Sequence, residues 1–431
     1  MRILRSAGVG VLLFLSFSAF GKLIVVNTTN NILPLPGETN LVQAISLLED
    51  GDTIGFNIPG PGPFYLDTPP FLLFNGYPPI TNHNVTIDGY TQPGSAPNTN
   101  PILSSNNARI QIVIDARGGG YHSELVPGAF DLSESEQIFI KGATNVNIRG
   151  LCFLGPGTGA GDELDPYRYA IGFTPGSHRG HISACWFGVD LDRTNVFRFR
   201  DAVAAFRANT TNYVNNTIIG VGSDTSSASE ARAQFNVIVG EFIPVILEGQ
   251  GYRISGNFFN VFPDGMTDYN VDGNDPHNIE AFIEIGRRGD NVVIGTDGDG
   301  VNDDEERNIF GGITVAGEQE FIQWYSSNTM TNNVIAGNYF GLATDGVTRF
   351  TNSMAIFGGL TAASTFRIGS DFDGVSDDLE ANVISMNYPF DTLFPSPEQP
   401  GTPKPPRFAN LTVNSLGPRI SFRGNKLMGN N

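Results

Sequence analysis

Two stretches of this 431-residue chain place carboxylates at a spacing that could hold a hard cation. In the first, Asp297, Asp299, Asp303 and Glu306 surround Gly300; in the second, Asp371, Asp373, Asp377 and Glu380 surround Gly374. Oxygen ligands at alternate positions about a glycine turn, closed by a glutamate, are what Ca2+ needs, and Val301 and Val375 each add a carbonyl. The usual first ligand is absent because Gly295 and Gly369 stand there. Loss of that carboxylate moves the expected affinity toward the millimolar range of extracellular modules. The same pattern also serves a solvated acidic turn, in which Asp accepts backbone N–H groups and Gly supplies positive φ.

A second candidate is Asp275-Pro276-His277-Asn278. His277 has an intrinsic pKa suited to acid/base work. The segment resembles the Asp-Pro-His of mannuronan epimerases, where a His and a Tyr exchange the C5 proton of a uronate while neighbours neutralise its carboxylate; the resemblance implies the proton-exchange role for His277, with Asp275 a further catalytic candidate beside it. Here Asn278 replaces the acid that follows His in those enzymes, and the nearest upstream aromatic residue is Tyr269. Pectate lyases need an acidic Ca2+ cluster and a basic residue; Arg198, Arg200, Asp201 and Arg207 could supply such charges, but the Trp-x-Asp-His and Arg-x-Pro-x-x-Arg segments are missing. Of the polygalacturonase signatures only Gly180-His181-Ile182 has any counterpart. Nucleophile elbows, zinc-spaced His and Cys and phosphate-binding glycine motifs are absent, and the glycines of GTGAGDELD from Gly157 lack a strand-to-helix context.

The elements that must position these residues are repeats. Gly295 to Asn308 and Gly369 to Asn382 are copies offset by 74 residues, each ending in Asn and an aliphatic pair. A second module interleaves with them, with Gly or Ala recurring at Ala184, Gly256, Gly337 and Gly424, while the Ile-Gly of the acidic module falls between at Gly220, Gly295 and Gly369. Elsewhere apolar residues alternate in very short pieces: Ile54, Phe56 and Ile58; Val85 and Ile87; Ile110, Ile112 and Ile114; Ile138 and Ile140; Val146 and Ile148. Such pieces, closed by Gly, Asn or Asp, are short strands bounded by turns. Only GETNLVQAISLLEDGD reads as a helix, with Thr39 or Asn40 as cap, Leu41, Ala44, Ile45 and Leu48 on one face and Gly51 as stop. One helix ahead of many strands suggests a cover over the open end of a stack.

The expected fold is all-β: a right-handed parallel β-helix, a three-sheet solenoid with an N-terminal capping helix. Coils about 4.8 Å apart bring like residues into contact. Asn257, Asn338 and Asn425 share one module position and are expected to form a ladder of buried amides. In GLCFLG and SACWFG, Cys152 and Cys185 take that same position, followed by Phe153 and Trp186. Stacked on adjacent coils they would be wider apart than the roughly 3.8 Å between Cβ atoms of a relaxed disulfide, which favours two buried thiols over a bridge.

At VTIDGYTQPGSAPNTNP, from Val85, the chain resembles exported bacterial β-helix proteins of the pectin-lyase-like superfold, and IGTDGDGVNDDEERNIFGG and NNVIAGNYFGLATDG resemble segments of the same group. The resemblance implies the fold and an exported or surface location, but no particular activity. The ends and composition agree. Residues 1–21 carry Arg2 and Arg5, an apolar run from Val9 to Phe20 and small residues, the pattern of a secretory signal peptide. Residues 22–60 form the expected cap and 61–431 the β-helix, with a proline-rich insertion at 392–407. No later stretch is long enough to span a bilayer. The net charge of −19, with lysine only at 22, 141, 404 and 426, argues against nucleic acid as a partner and accommodates cations. The chain stops within a coil module, which leaves two expectations, a truncated product or end-to-end pairing of chains. Two functions follow: a secreted or cell-surface scaffold that binds polysaccharide, or a carbohydrate-active enzyme, a lyase or uronate epimerase, acting on an acidic glycan.

Overall fold

The computed structural model describes residues 21–31, 33–68, 77–117, 136–156, 169–205, 212–269, 279, 281–312, 320–324, 329–350, 355–358, 364–385 and 419–428. The N-terminal segment, Arg207, Asp275 and His277, the glycines from Gly157 and the proline-rich insertion lie outside them.

Alternation of apolar residues in short runs gives short strands, and among the described residues nearly all the regular elements are such strands. They assemble into parallel sheets of 11, 10 and 7 strands, here called the first, second and third sheets. From Thr86–Asp88 to Val383–Ser385 successive strands visit the three sheets in turn, apart from one two-stranded pair, Val214–Asn215 with Gly249–Gln250. Arg253–Ser255 belongs to the first, Asn257–Phe259 to the second and Ala281–Ile285 to the third, and Val293–Gly295 then returns to the first beside Arg253–Ser255. Parallel pairing with crossovers made of strands rather than helices is the stacked arrangement expected of a parallel β-helix.

Register turns the repeat into columns. In the first sheet Ile24, Ile54, Ile87, Ile148, Ile182, Ile219, Ile254, Ile294, Ile335 and Ile368 stand one above another. In the second, Leu66, Ile114, Phe153, Phe187, Ile238, Phe259, Phe310, Phe340 and Ile384 do the same. The third contributes Ile138, Ile171, Val203, Val245, Ile283 and Ile322. All three columns meet in one core. Phe259, Phe310 and Phe340 stack with centroids 4.9 and 4.8 Å apart, the coil spacing itself.

The N-terminal helix spans Leu41–Ser46. Asn40 caps it, accepting from the Gln43 N–H while Gln43 Oε1 accepts from the Asn40 N–H, a capping box. Leu41, Ala44 and Ile45 enter the main core, and the helix packs on the outermost strand of the first sheet, Leu23–Val26.

Polar stacking is more extensive than the three asparagines expected. Asn236, Asn257, Asn308, Asn338, Asn382 and Asn425 form one continuous ladder, each Nδ2 donating to the next Oδ1 at 2.8–3.0 Å. Asn308 and Asn382 close the acidic modules, so both module types feed the same ladder. A second column at the turn from third to first sheet places Asn84, Asn145, Asn216, Asn291 and Asn332 in the left-handed region, which asparagine tolerates best among side-chain-bearing residues.

The cysteine alignment is corrected by the register. Trp186 pairs with Cys152 and Phe187 with Phe153, so Cys152 and Cys185 are one residue out of step. One step reverses the face of a strand. Cys185 lies in the interior beneath the ladder, its N–H bonded to Asn236 Oδ1, whereas Cys152 packs on the outer side of the second sheet with Val113 and Trp186. Both are free, buried thiols.

Candidate metal centre

Each acidic module is a long connection from the first sheet to the second, and shorter connections through Gly256, Gly337 and Gly424 separate them. At Gly295 and Gly369 the chain leaves the sheet with φ near +90°, and a Cβ there would come 1.9 or 2.0 Å from the carbonyl of Ala336 or Arg423. Only glycine fits. The module before them, 221–235, occupies the same connection and carries a helix, Ala228–Arg232, capped by Ser227.

The loops 296–307 and 370–381 share one internal geometry. Thr296 Oγ1 donates to Asp303 Oδ1 at 2.5 Å, and Ser370 Oγ to Asp377 Oδ1 at 2.7 Å. The N–H groups of Gly300 and Gly374 donate to the same two carboxylates, at 2.8 and 3.2 Å. Asp299 and Asp373 accept from Val301 and Val375 N–H, at 2.8 and 2.7 Å. Three positions take positive φ in each: Gly298, Gly300 and Asn302, matched by Phe372, Gly374 and Ser376. The acidic residues therefore build the turn by bonding its backbone.

What the spacing could not disclose is that each loop already holds a cationic group. In the first loop Arg253 binds two carboxylates, Nη1 to Asp297 Oδ2 and Nη2 to Glu306 Oε1, both at 2.5 Å, and its Nε donates to Val221 O. In the second, Arg367 pairs with Glu380 Oε1, lies 3.6 Å from Asp371, and reaches down to donate to Asp297 O at 3.1 Å. Arg253 and Arg367 share a column of the first sheet through Val293 and Val334. Yet Arg253 serves the coil above it and Arg367 its own.

Two forces act on Glu306. Burial pushes its carboxyl up, to about 7, with Asp297 and Asp303 adding to the rise, while the Arg253 guanidinium pulls it down. The loops are also tied together. Arg232 Nε donates to Glu305 at 2.5 Å, Asn302 Nδ2 to Thr225 O, and Glu380 lies against the bare Cα of Gly298.

For a cation the geometry offers two trios whose oxygens lie within 4.8 Å of one another: Asp297, Asp303 and Glu306, and Asp371, Asp373 and Asp377. The first uses two carboxylates already paired with Arg253, and one of Asp303's oxygens faces two donors. A calcium shell of six to eight oxygens there must displace a guanidinium. The second trio is more open, with Asp371 and Asp373 exposed. Asp299 lies outside the first trio and Glu380 outside the second.

The other sequence candidates separate. Arg198 and Asp201 are buried, and Arg200 stacks on Phe242 at 5.5 Å. His181 Nε2 bonds the Gly220 carbonyl at 2.8 Å, and burial lowers its pKa, so it acts as a structural imidazole. Arg253, Arg367 and Glu241 were not singled out by sequence; an arginine in a strand gives no sign of which coil it will serve. No helix among the described residues is long and apolar enough to cross a membrane. No protein-family model matches the chain, and no curated protein matches it in sequence.

Proposed function

We propose that the chain is an exported right-handed parallel β-helix of the pectin-lyase-like kind, covered at its N-terminal end by the Leu41–Ser46 helix, that works as an extracellular or cell-surface scaffold and lays its ridged side against polysaccharide. The observation that carries this reading is the use already made of the acidic side chains. Asp303 and Asp377 bond their own turns, and Glu306 and Glu380 bond arginines, so the groups that would be spent on metal or proton chemistry serve the stack. In this reading Ca2+ has its best opening at Asp371, Asp373 and Asp377, where it would pin a turn and leave any bound glycan to other surfaces. The test is a screen of the full chain against pectate, alginate and related polyuronates, with and without Ca2+. Retention on a polymer without new unsaturated or epimerised residues is expected; turnover would replace the scaffold by the lyase or epimerase.

A further inference from the structure

Glu241 sits in the turn from Asn236–Ile238 of the second sheet to Val245–Leu247 of the third. It is fully buried, and among the described residues neither carboxylate oxygen meets a donor at full hydrogen-bond geometry, the Phe199 N–H being the one favourable backbone group. The turn is made to bring it inward. Gly240 takes φ +83°, and the carboxyl lies against Gly188 of the preceding coil, where an added Cβ would come 2.8 Å from Oε1. From that same coil Asp201, also fully buried, faces it as a like charge, Arg198 as an opposite one, and the Phe199 N–H as a favourable dipole. From the following coil Tyr269 packs on Gly240. Arg200 stacks on the Phe242 ring, and its Nε lies 4.0 Å from Asp201 Oδ2, so Asp201 has a cation of its own. An ionised carboxylate so placed is costly, with only the Phe199 N–H and the Arg198 charge to offset its burial; a proton removes most of that cost.

We propose that Glu241 is carried as the neutral acid, a proton-held joint between the second and third sheets that loosens as pH rises. Burial, the largest influence, moves its carboxyl upward, Asp201 in the same sense and Arg198 against it. The native state then keeps a proton that an unfolded glutamate releases above about pH 4.3, so stability drains as pH climbs from that value toward the raised folded one. Glu241→Gln keeps the shape and is neutral at every pH. Thermal unfolding of the full chain from pH 4.5 to 8 is the experiment. The variant should melt with the wild type at pH 4.5 and higher by about 2 °C or more at pH 8. A variant that follows the wild-type slope overturns the proposal. If Glu241→Gln does not fold, amide exchange of the wild type decides: protection at 201–205 and 241–247 should fall with pH beyond the rise intrinsic to amides and faster than at the asparagine ladder. Equal change in both regions overturns it.

Discussion

The loops 296–307 and 370–381 share the bonds of Asp303 and Asp377 to their own turns, although only the second winds a short helix, Asp377–Glu380, and they solve the problem of their negative charge differently. In the first, the arginine comes from the coil below and is 8% exposed, as a clamp on two carboxylates of another turn. In the second it comes from the loop's own strand, and one of its carboxylates, Asp371, remains 43% exposed. Stacking makes both possible, because first-sheet side chains of one coil lie within reach of the turn above. The difference teaches that the repeated motif specifies a turn, while its electrostatic partner is supplied by whichever coil, its own or the one below, places an arginine within reach.

The largest expected effect comes from removing that partner. Arg253→Met leaves Glu306 and Asp297 facing each other without compensation, and breaking a largely buried pair costs about 3 kcal/mol or more. Arg367→Met should cost less, about 2 kcal/mol, because Asp371 keeps its water. Denaturant unfolding of both variants checks the order; a larger loss at Arg367 would break the comparison. Glycine use separates the loops by a smaller amount. Gly298 has φ +81° and a Cβ there would lie 2.1 Å from Glu380 Oε1, whereas Phe372 holds the same position at φ +63° with its ring exposed. Gly298→Ala should destabilise by about 2 kcal/mol and Phe372→Gly should stabilise by about 1 kcal/mol, since left-handed backbone costs a side-chain-bearing residue roughly that much. Melting curves of the two variants should therefore move in opposite directions.

Much of the architecture was legible because the coil repeat writes itself into the sequence. The alternation at Ile54, Ile87 and Ile148 marks a column that the register then extends through ten isoleucines. The ladder was half legible. Asn257, Asn338 and Asn425 stood out within one module, but Asn236, Asn308 and Asn382 lie at the ends of longer loops, and only the shared run of Asn followed by two apolar residues, as in Asn308-Ile309-Phe310, marks them as equivalents. The cysteines were misread because GLCFLG and SACWFG align well by composition one residue away from their true register, and sequence similarity does not fix a slip of one. At the candidate site the turn could be read, but its cation could not. Arg253 lies more than forty residues from Asp297 in the chain, and no local spacing records that contact.

The claim that the closing carboxylates of these turns are already paired with arginine is tested most directly by thermal unfolding of the full chain in Ca2+ at about 1 mM against a chelator. With Arg253 and Arg367 already on the closing carboxylates, the melting temperature should move by less than about 1 °C. A rise of several degrees lost on Asp303→Asn would contradict the account at the first loop, and one lost on Asp377→Asn would return the second, more open loop to metal binding.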